Sequence, residues 1–121
     1  MFSALIVEND PEALSSLERL FENQWRQWGV RTASSGRQAM EFLESEKFDL
    51  LLSNIELPGD ITGFTLYEEV RNRDLETEVI LMGSSEDHEA ECARQGVDGF
   101  LEKPVRGFGL QTMLETLSLF P

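Results

Sequence analysis

Short apolar segments alternate with longer amphipathic segments along the chain, at fairly even spacing. Several of the short segments are continuously apolar, which is typical of strands that helices cover on both faces. The predicted strands are Ser3–Val7, Val30–Ala33, Phe48–Ser53, Val79–Met82 and Gly99–Leu101. The second of them has the weakest apolar pattern.

Apolar residues at three- and four-residue steps predict helices between these strands. The first helix is expected from Asp10, its N-cap, through Trp28, with Pro11 at the first helical position. Ser35, followed three residues later by Gln38, is typical of a capping box that opens the second helix. We expect the second helix from Ser35 to about Ser45, the third from just after Gly63 through Val70, and the fourth from near Ser85 to Gly96. Leu110, Met113, Leu114 and Leu117 mark the fifth helix.

Five strands alternating with five helices predict a doubly wound α/β fold with a parallel sheet, because parallel strands need long right-handed crossovers. We expect one domain across residues 1–121, which a longer protein could carry as its N-terminal part. In such sheets the functional site lies beyond the carboxyl ends of the strands. The residues that end each strand are therefore the candidates for function.

Charge narrows the classes of partner. The chain carries 23 acidic and 10 basic residues, for a formal net charge of −13. Phosphate backbones and anionic lipids repel such a chain, and its cations are scattered, so we expect no direct binding to nucleic acid or membranes. Cys92 is the single cysteine, and the N-terminus has no signal-peptide pattern. These features favour the reducing cytoplasm.

Polar residues follow the predicted strands in three recognisable strings. The strings are ALIVENDPE, DLLLSNIELPG and DGFLEKP. In order and spacing they resemble the signature segments of response-regulator receiver domains from two-component signalling, over essentially the whole chain. The resemblance implies the flavodoxin-like receiver fold with strand order 2-1-3-4-5.

The resemblance also implies a mechanism for intact members of the family. An aspartate ending strand three accepts a phosphoryl group from a histidine kinase, and an acid pair after strand one helps to hold Mg²⁺. A lysine before a proline neutralises the phosphoryl oxygens, and a hydroxyl residue ending strand four acts as the switch. An aromatic residue in strand five reports the change to the outer face.

This chain retains part of that pattern and departs from it at three positions. Lys103, Pro104 and the aromatic Phe100 are retained, as is Glu8 of the acid pair. The acceptor position is Asn54, the second acid position is Asn9, and the switch position is Gly83 with Ser84 beside it. A carboxamide is a poor nucleophile at phosphorus and cannot form the family's acyl phosphate.

The implied metal site has lost charge as well. Its positions are Glu8, Asn9, Asn54 and Glu56, so Mg²⁺ binding is expected to be weak at best, with no other cofactor. We hypothesise that Glu8 and Lys103 pair instead, directly or through the Asn54 amide, and hold the pocket in one conformation. A site rebuilt on Glu8, Asp10 and Glu56 is the alternative.

The leading interpretation is a degenerate receiver, not an enzyme, that acts as a phosphorylation-independent interaction module. The resemblance implies a protein partner (a histidine kinase, an output domain or another regulator) at the face formed by strands four and five with helices four and five, and it also allows a homodimer. The alternative is a phosphoryl-accepting receiver in which Asn54 is an engineered replacement of aspartate, or in which Ser53, Ser84 or a rebuilt metal site serves. A flavodoxin-like cofactor binder would need a Ser/Thr/Gly phosphate loop after strand one, where ENDPE stands.

Four other residues have structural interpretations. We expect His88 to be a solvated side chain and Cys92 to pack in the core. Trp25 and Trp28 are expected to serve the core, with a partner surface as the alternative.

Overall fold

The computed structural model of the protein describes residues 2–73 and 76–119, in which strands and helices alternate. The strands are β1 (Ser3–Val7), β2 (Gly29–Ala33), β3 (Leu50–Asn54), β4 (Glu78–Gly83) and β5 (Gly99–Glu102). The helices are α1 (Pro11–Gln24), α2 (Gly36–Ser45), α3 (Gly63–Asn72), α4 (Glu86–Gln95) and α5 (Gly107–Thr116). The strands pair in parallel in the order β2-β1-β3-β4-β5, so the predicted fold and strand order are confirmed.

Two hydrophobic clusters lie on opposite faces of the sheet. One joins the sheet to α1 and α5, and the other joins it to α2, α3 and α4. Side chains of β1 alternate between them: Ala4 and Ile6 belong to the first cluster, and Leu5 and Val7 to the second. Every residue of β3 is buried, as expected for a central strand covered on both sides.

The first helix is shorter than predicted. It ends at Gln24, because the Gly29 N–H bonds the Phe2 carbonyl at 2.9 Å and draws the chain into β2. Trp25 and Trp28 nevertheless stay in the core, with exposures of 5% and 6%, and their ring centroids lie 5.1 and 5.5 Å from that of Phe21. Their predicted core role is confirmed.

Caps define the helix starts. Asp10 caps α1 by accepting a hydrogen bond from the Glu12 N–H at 3.2 Å, as predicted. Ser35 accepts from the Gln38 N–H at 3.2 Å, but the Gln38 side chain turns back to the Ser34 N–H at 2.9 Å, so the predicted box is displaced by one residue.

The start of α3 carries a feature that the periodicity did not predict. Thr62 and Thr65 form a reciprocal capping box there. This box fixes the chain immediately after the loop that follows β3.

Two further sequence features have simple outcomes. Cys92 is 3% exposed and lies in the cluster that joins the sheet to α2, α3 and α4, here called the α2–α4 cluster. Burial raises the pKa of its thiol to about 11, and the charges of Glu91 and Glu89 add to this effect. Its predicted packing role is confirmed. In the described ranges no helix is long and apolar enough to cross a membrane.

Candidate functional site

Three polar side chains meet where β1, β3 and β5 end. Glu8 follows β1, Asn54 ends β3, and Lys103 follows β5. Because all strands of the sheet are parallel, their carboxyl ends lie at the same edge, although Glu8 and Lys103 are 95 positions apart in sequence. The arrangement of the strands therefore brings these three side chains together.

The Glu8 carboxylate is buried, with 1% exposure, and it accepts three hydrogen bonds. Oε1 accepts from Lys103 Nζ at 2.8 Å. Oε2 accepts from Asn54 Nδ2 at 2.7 Å and from the Asp10 N–H at 3.0 Å. The Glu8–Lys103 pair expected from the charge count is thus present, both directly and through the Asn54 amide. A carboxylate this deeply buried needs such partners.

The Asn54 side chain uses both ends of its amide. Its Oδ1 accepts from Lys103 Nζ at 2.8 Å. Its Nδ2 donates to Glu8 Oε2 and also to Asn9 Oδ1, the latter at 2.9 Å. Because Asn54 is 6% exposed, these bonds satisfy a buried amide that would otherwise be costly. An aspartate would have no N–H to offer to Glu8 and Asn9.

The donor set does not fit Mg²⁺. Hard cations prefer anionic oxygens, and the only carboxylate in the Glu8–Asn9–Asn54 group already accepts from three donors. Lys103 Nζ lies between Glu8 Oε1 and Asn54 Oδ1, where it supplies the positive charge. In residues 2–73 and 76–119, no three His, Cys, Asp or Glu side chains converge as a metal site.

The other candidate residues surround this triad. Glu56, Gly83 and Ser84 line a cavity of about 240 Å³ together with Glu8, Asn9, Asp10, Asn54, Met82, His88 and Lys103. Glu56 and Ser84 are exposed. Pro104 is also exposed, beyond Lys103, and Phe100 is half-buried against the α2–α4 cluster.

Ser53 points away from this chemistry. Its side chain is fully buried, and its hydroxyl donates to the Asn54 carbonyl at 2.8 Å. Of the two serines considered as alternative acceptors, Ser84 is the one that lines the cavity.

The prediction that His88 is a solvated side chain is wrong. His88 is half-buried at the first turn of α4, and its imidazole lies against Gly83. Its Nδ1 is buried, without a hydrogen-bond partner in the described part of the chain. Helical periodicity could not reveal this position, because it depends on the missing side chain at residue 83.

Comparisons with known proteins identify the family of this chain. The family model for the response regulator receiver domain matches residues 4–115. The transcriptional regulatory protein AfsQ1 of Streptomyces coelicolor is 30% identical over 108 residues, covering 88% of this chain and 47% of AfsQ1. The transcriptional activator protein PfeR of Pseudomonas aeruginosa is 36% identical over 103 residues, covering 83% of this chain and 32% of PfeR. The chain thus spans less than half the length of either relative.

Solved structures show the same fold. Chemotaxis response regulator CheY4 of Vibrio cholerae superposes with a TM-score of 0.80 at 24% identity, covering 98% of this chain and 97% of that one. The Francisella response regulator 1452 receiver domain gives a TM-score of 0.83 at 19% identity, covering 97% and 96%.

Proposed function

Because the chain belongs to the family of response regulator receiver domains of two-component signalling, we propose that it acts as a phosphorylation-independent protein-interaction module. In this proposal the domain is a cytoplasmic regulatory part and not an enzyme. Its partner is a histidine kinase, an output domain or another regulator.

The observation that carries the proposal is the closed Glu8–Asn54–Lys103 network. Asn54 stands where the family's acceptor aspartate would stand, and its amide oxygen is a poor nucleophile at phosphorus. The charges of Glu8 and Lys103 already compensate each other, at 2.8 Å. In this proposal the pocket lacks both the nucleophile and the metal site that phosphoryl transfer needs.

Incubation of the protein with acetyl phosphate and Mg²⁺, followed by intact-mass measurement, tests this proposal. We expect no added phosphoryl group, because the acceptor is a carboxamide and Mg²⁺ has a poor donor set. A labelled native chain would overturn the proposal and favour a rebuilt acceptor. In that case Ser84 is the first residue to map, because it is exposed at the cavity while Ser53 is buried.

The face formed by β4 and β5 with α4 and α5 is the proposed partner surface. It comprises the outward sides of Glu78–Gly83, Gly99–Glu102, Glu86–Gln95 and Gly107–Thr116. Phe108 supports this choice, since it is the exposed large hydrophobic residue of the described chain, at 83% exposure. The face also carries exposed acids at the start of α4, at Glu86, Asp87 and Glu89. A partner with an apolar pocket and basic residues around it would complement this surface.

A photo-crosslinking amino acid at position 108 should capture the partner in cells that produce the protein. The matched control is the same group at Arg31, which is exposed on the opposite edge strand β2. We expect a crosslinked species from position 108 and not from position 31. Equal capture at both positions would contradict the assignment of this face.

In the purified domain, Phe108→Ala should change the free energy of unfolding by less than about 0.5 kcal/mol, because the ring is exposed.

A further inference from the structure

We infer that His88 replaces a side chain at the end of β4: its imidazole fills the space above Gly83 and holds the β4–α4 loop in one conformation. The inference rests on the proposed function, and it deepens that function by naming the part that fixes the domain's state. In this view Gly83 and His88 are a complementary pair. A side chain at position 83 and the inward imidazole exclude each other.

The backbone of Gly83 does not itself require glycine. In the described residues, the glycines with a positive φ are Gly59 and Gly96, so the φ of Gly83 is one that other residues can adopt. A Cβ atom placed on Gly83 would instead meet the histidine: His88 Nδ1 at 2.6 Å, and His88 Cβ and Cγ each at 3.0 Å. These three closest atoms all belong to one residue. The His88 side chain, with imidazole Nδ1 as its nearest atom, is therefore what excludes a side chain at this position.

Gly83 is a fixed point for the ring to pack on. Its carbonyl accepts from the Lys103 N–H at 2.8 Å, and the carbonyl of the preceding Met82 accepts from the Ile55 N–H at 2.9 Å. These bonds tie the end of β4 to the segments that follow β3 and β5. The imidazole thereby connects α4 to the part of the sheet edge that also carries Lys103.

The loop itself has few other restraints. It consists of Ser84 and Ser85, and both are exposed. Ser85 caps α4 by accepting a hydrogen bond from the His88 N–H at 3.1 Å. His88 therefore contacts the loop through its backbone and Gly83 through its ring. Removing the ring leaves the cap in place and takes away the packing contact.

The ring is held by packing and not by a hydrogen bond. His88 Nδ1 is buried, and no described residue provides it with a partner. A buried polar atom without a partner weakens the inward position, so this position depends on how well the ring fits over Gly83. Filling position 83 should therefore release the ring, and with it the first turn of α4 on the proposed partner face.

A double-mutant cycle tests the pair. Gly83→Ala should lower the urea midpoint of unfolding in the native background, because its Cβ collides with the ring. In the His88→Ala background the same substitution should cost less than half as much, since the imidazole is gone and only the Cβ of residue 88, at 3.0 Å, remains near position 83. Alanine is the better helix former, so a loss caused by His88→Ala alone cannot come from helix propensity.

Amide hydrogen exchange provides the second readout. We expect His88→Ala to speed exchange at residues 84–88, and Ala90→Gln, an exposed change on the same helix that removes no charge, to leave it unaltered. Equal costs of Gly83→Ala in the two backgrounds, failure of the double variant to fold, or unchanged exchange in His88→Ala would each overturn the inference. Phosphoryl labelling of the native chain tests the proposed function separately. If the double-mutant cycle shows equal costs while the native chain takes no phosphoryl group, the role of His88 is wrong and the proposed function still stands.

Discussion

Asn54→Asp is expected to give the domain two properties that the native chain lacks: stabilisation by Mg²⁺ and acceptance of a phosphoryl group from acetyl phosphate. The substitution replaces Nδ2 by a second carboxylate oxygen. That atom lies 2.7 Å from Glu8 Oε2 and 2.9 Å from Asn9 Oδ1, so two hydrogen bonds become contacts between acceptors. Two carboxylates then share one lysine, which is the situation that a divalent cation relieves.

Without metal, we expect this variant to be less stable than the native chain by about 1–3 kcal/mol, the cost of leaving buried acceptors without their donor. Saturating Mg²⁺ should recover much of that loss, since a ligand at a hundredfold excess over its Kd contributes about 2.7 kcal/mol. Thermal unfolding of both proteins, with and without Mg²⁺, measures this effect. The native midpoint should not respond, because its Glu8 is already occupied by three donors.

Intact mass after incubation with acetyl phosphate measures the second property. The new carboxylate has an anionic oxygen for attack on phosphorus. Its other oxygen keeps the position of Asn54 Oδ1, which lies 2.8 Å from Lys103 Nζ. Asn54→Ala is the control, because it removes the same amide without adding a carboxylate, and it should show neither property. An Asp variant that responds to Mg²⁺ but takes no label would mean that losses at Asn9 and Gly83 also disable the chemistry.

The sequence predicted the elements better than their ends. Apolar runs at β1, β3 and β4 are long and buried, so their existence follows from burial on both faces of a central sheet. The end of α1 was misplaced because Trp25 and Trp28 continue the helical spacing while the backbone leaves the helix to join β2. Spacing records which side chains reach the core, and these two reach it from an irregular segment.

The site was predictable to the same extent. Signature strings brought Glu8, Asn54 and Lys103 together, and charge counting predicted their pairing. The position of His88 was not predictable, because it depends on a gap that another element leaves at Gly83. A pattern along one helix records which faces are apolar, but it does not record an empty volume on a neighbouring strand.

Lys103→Met should lower the free energy of unfolding at neutral pH by about 3 kcal/mol, the lower end of the cost of removing one partner from a buried ion pair. Glu8 is 1% exposed, and without Nζ its charge keeps only two N–H donors, from Asp10 and Asn54. The lower end applies because the Lys103 side chain is 30% exposed and the adjoining cavity of about 240 Å³ can admit water. Methionine keeps the length of the side chain, so urea denaturation reports mainly on the charge.

Removing Glu8 and removing Lys103 should lower the free energy of unfolding by different amounts. This difference distinguishes a charge left buried from a contact that is simply lost. Glu8→Gln leaves Lys103 free to reach solvent, so it should cost less than Lys103→Met. In the double variant no unpaired charge stays buried, and stability should return to near that of Glu8→Gln. Lys47→Met is the control at the other lysine, which is exposed, and should stay within about 0.5 kcal/mol of the native value. If Lys103→Met behaves like Lys47→Met, then Glu8 tolerates its charge without the lysine, and the closed network does not hold the pocket.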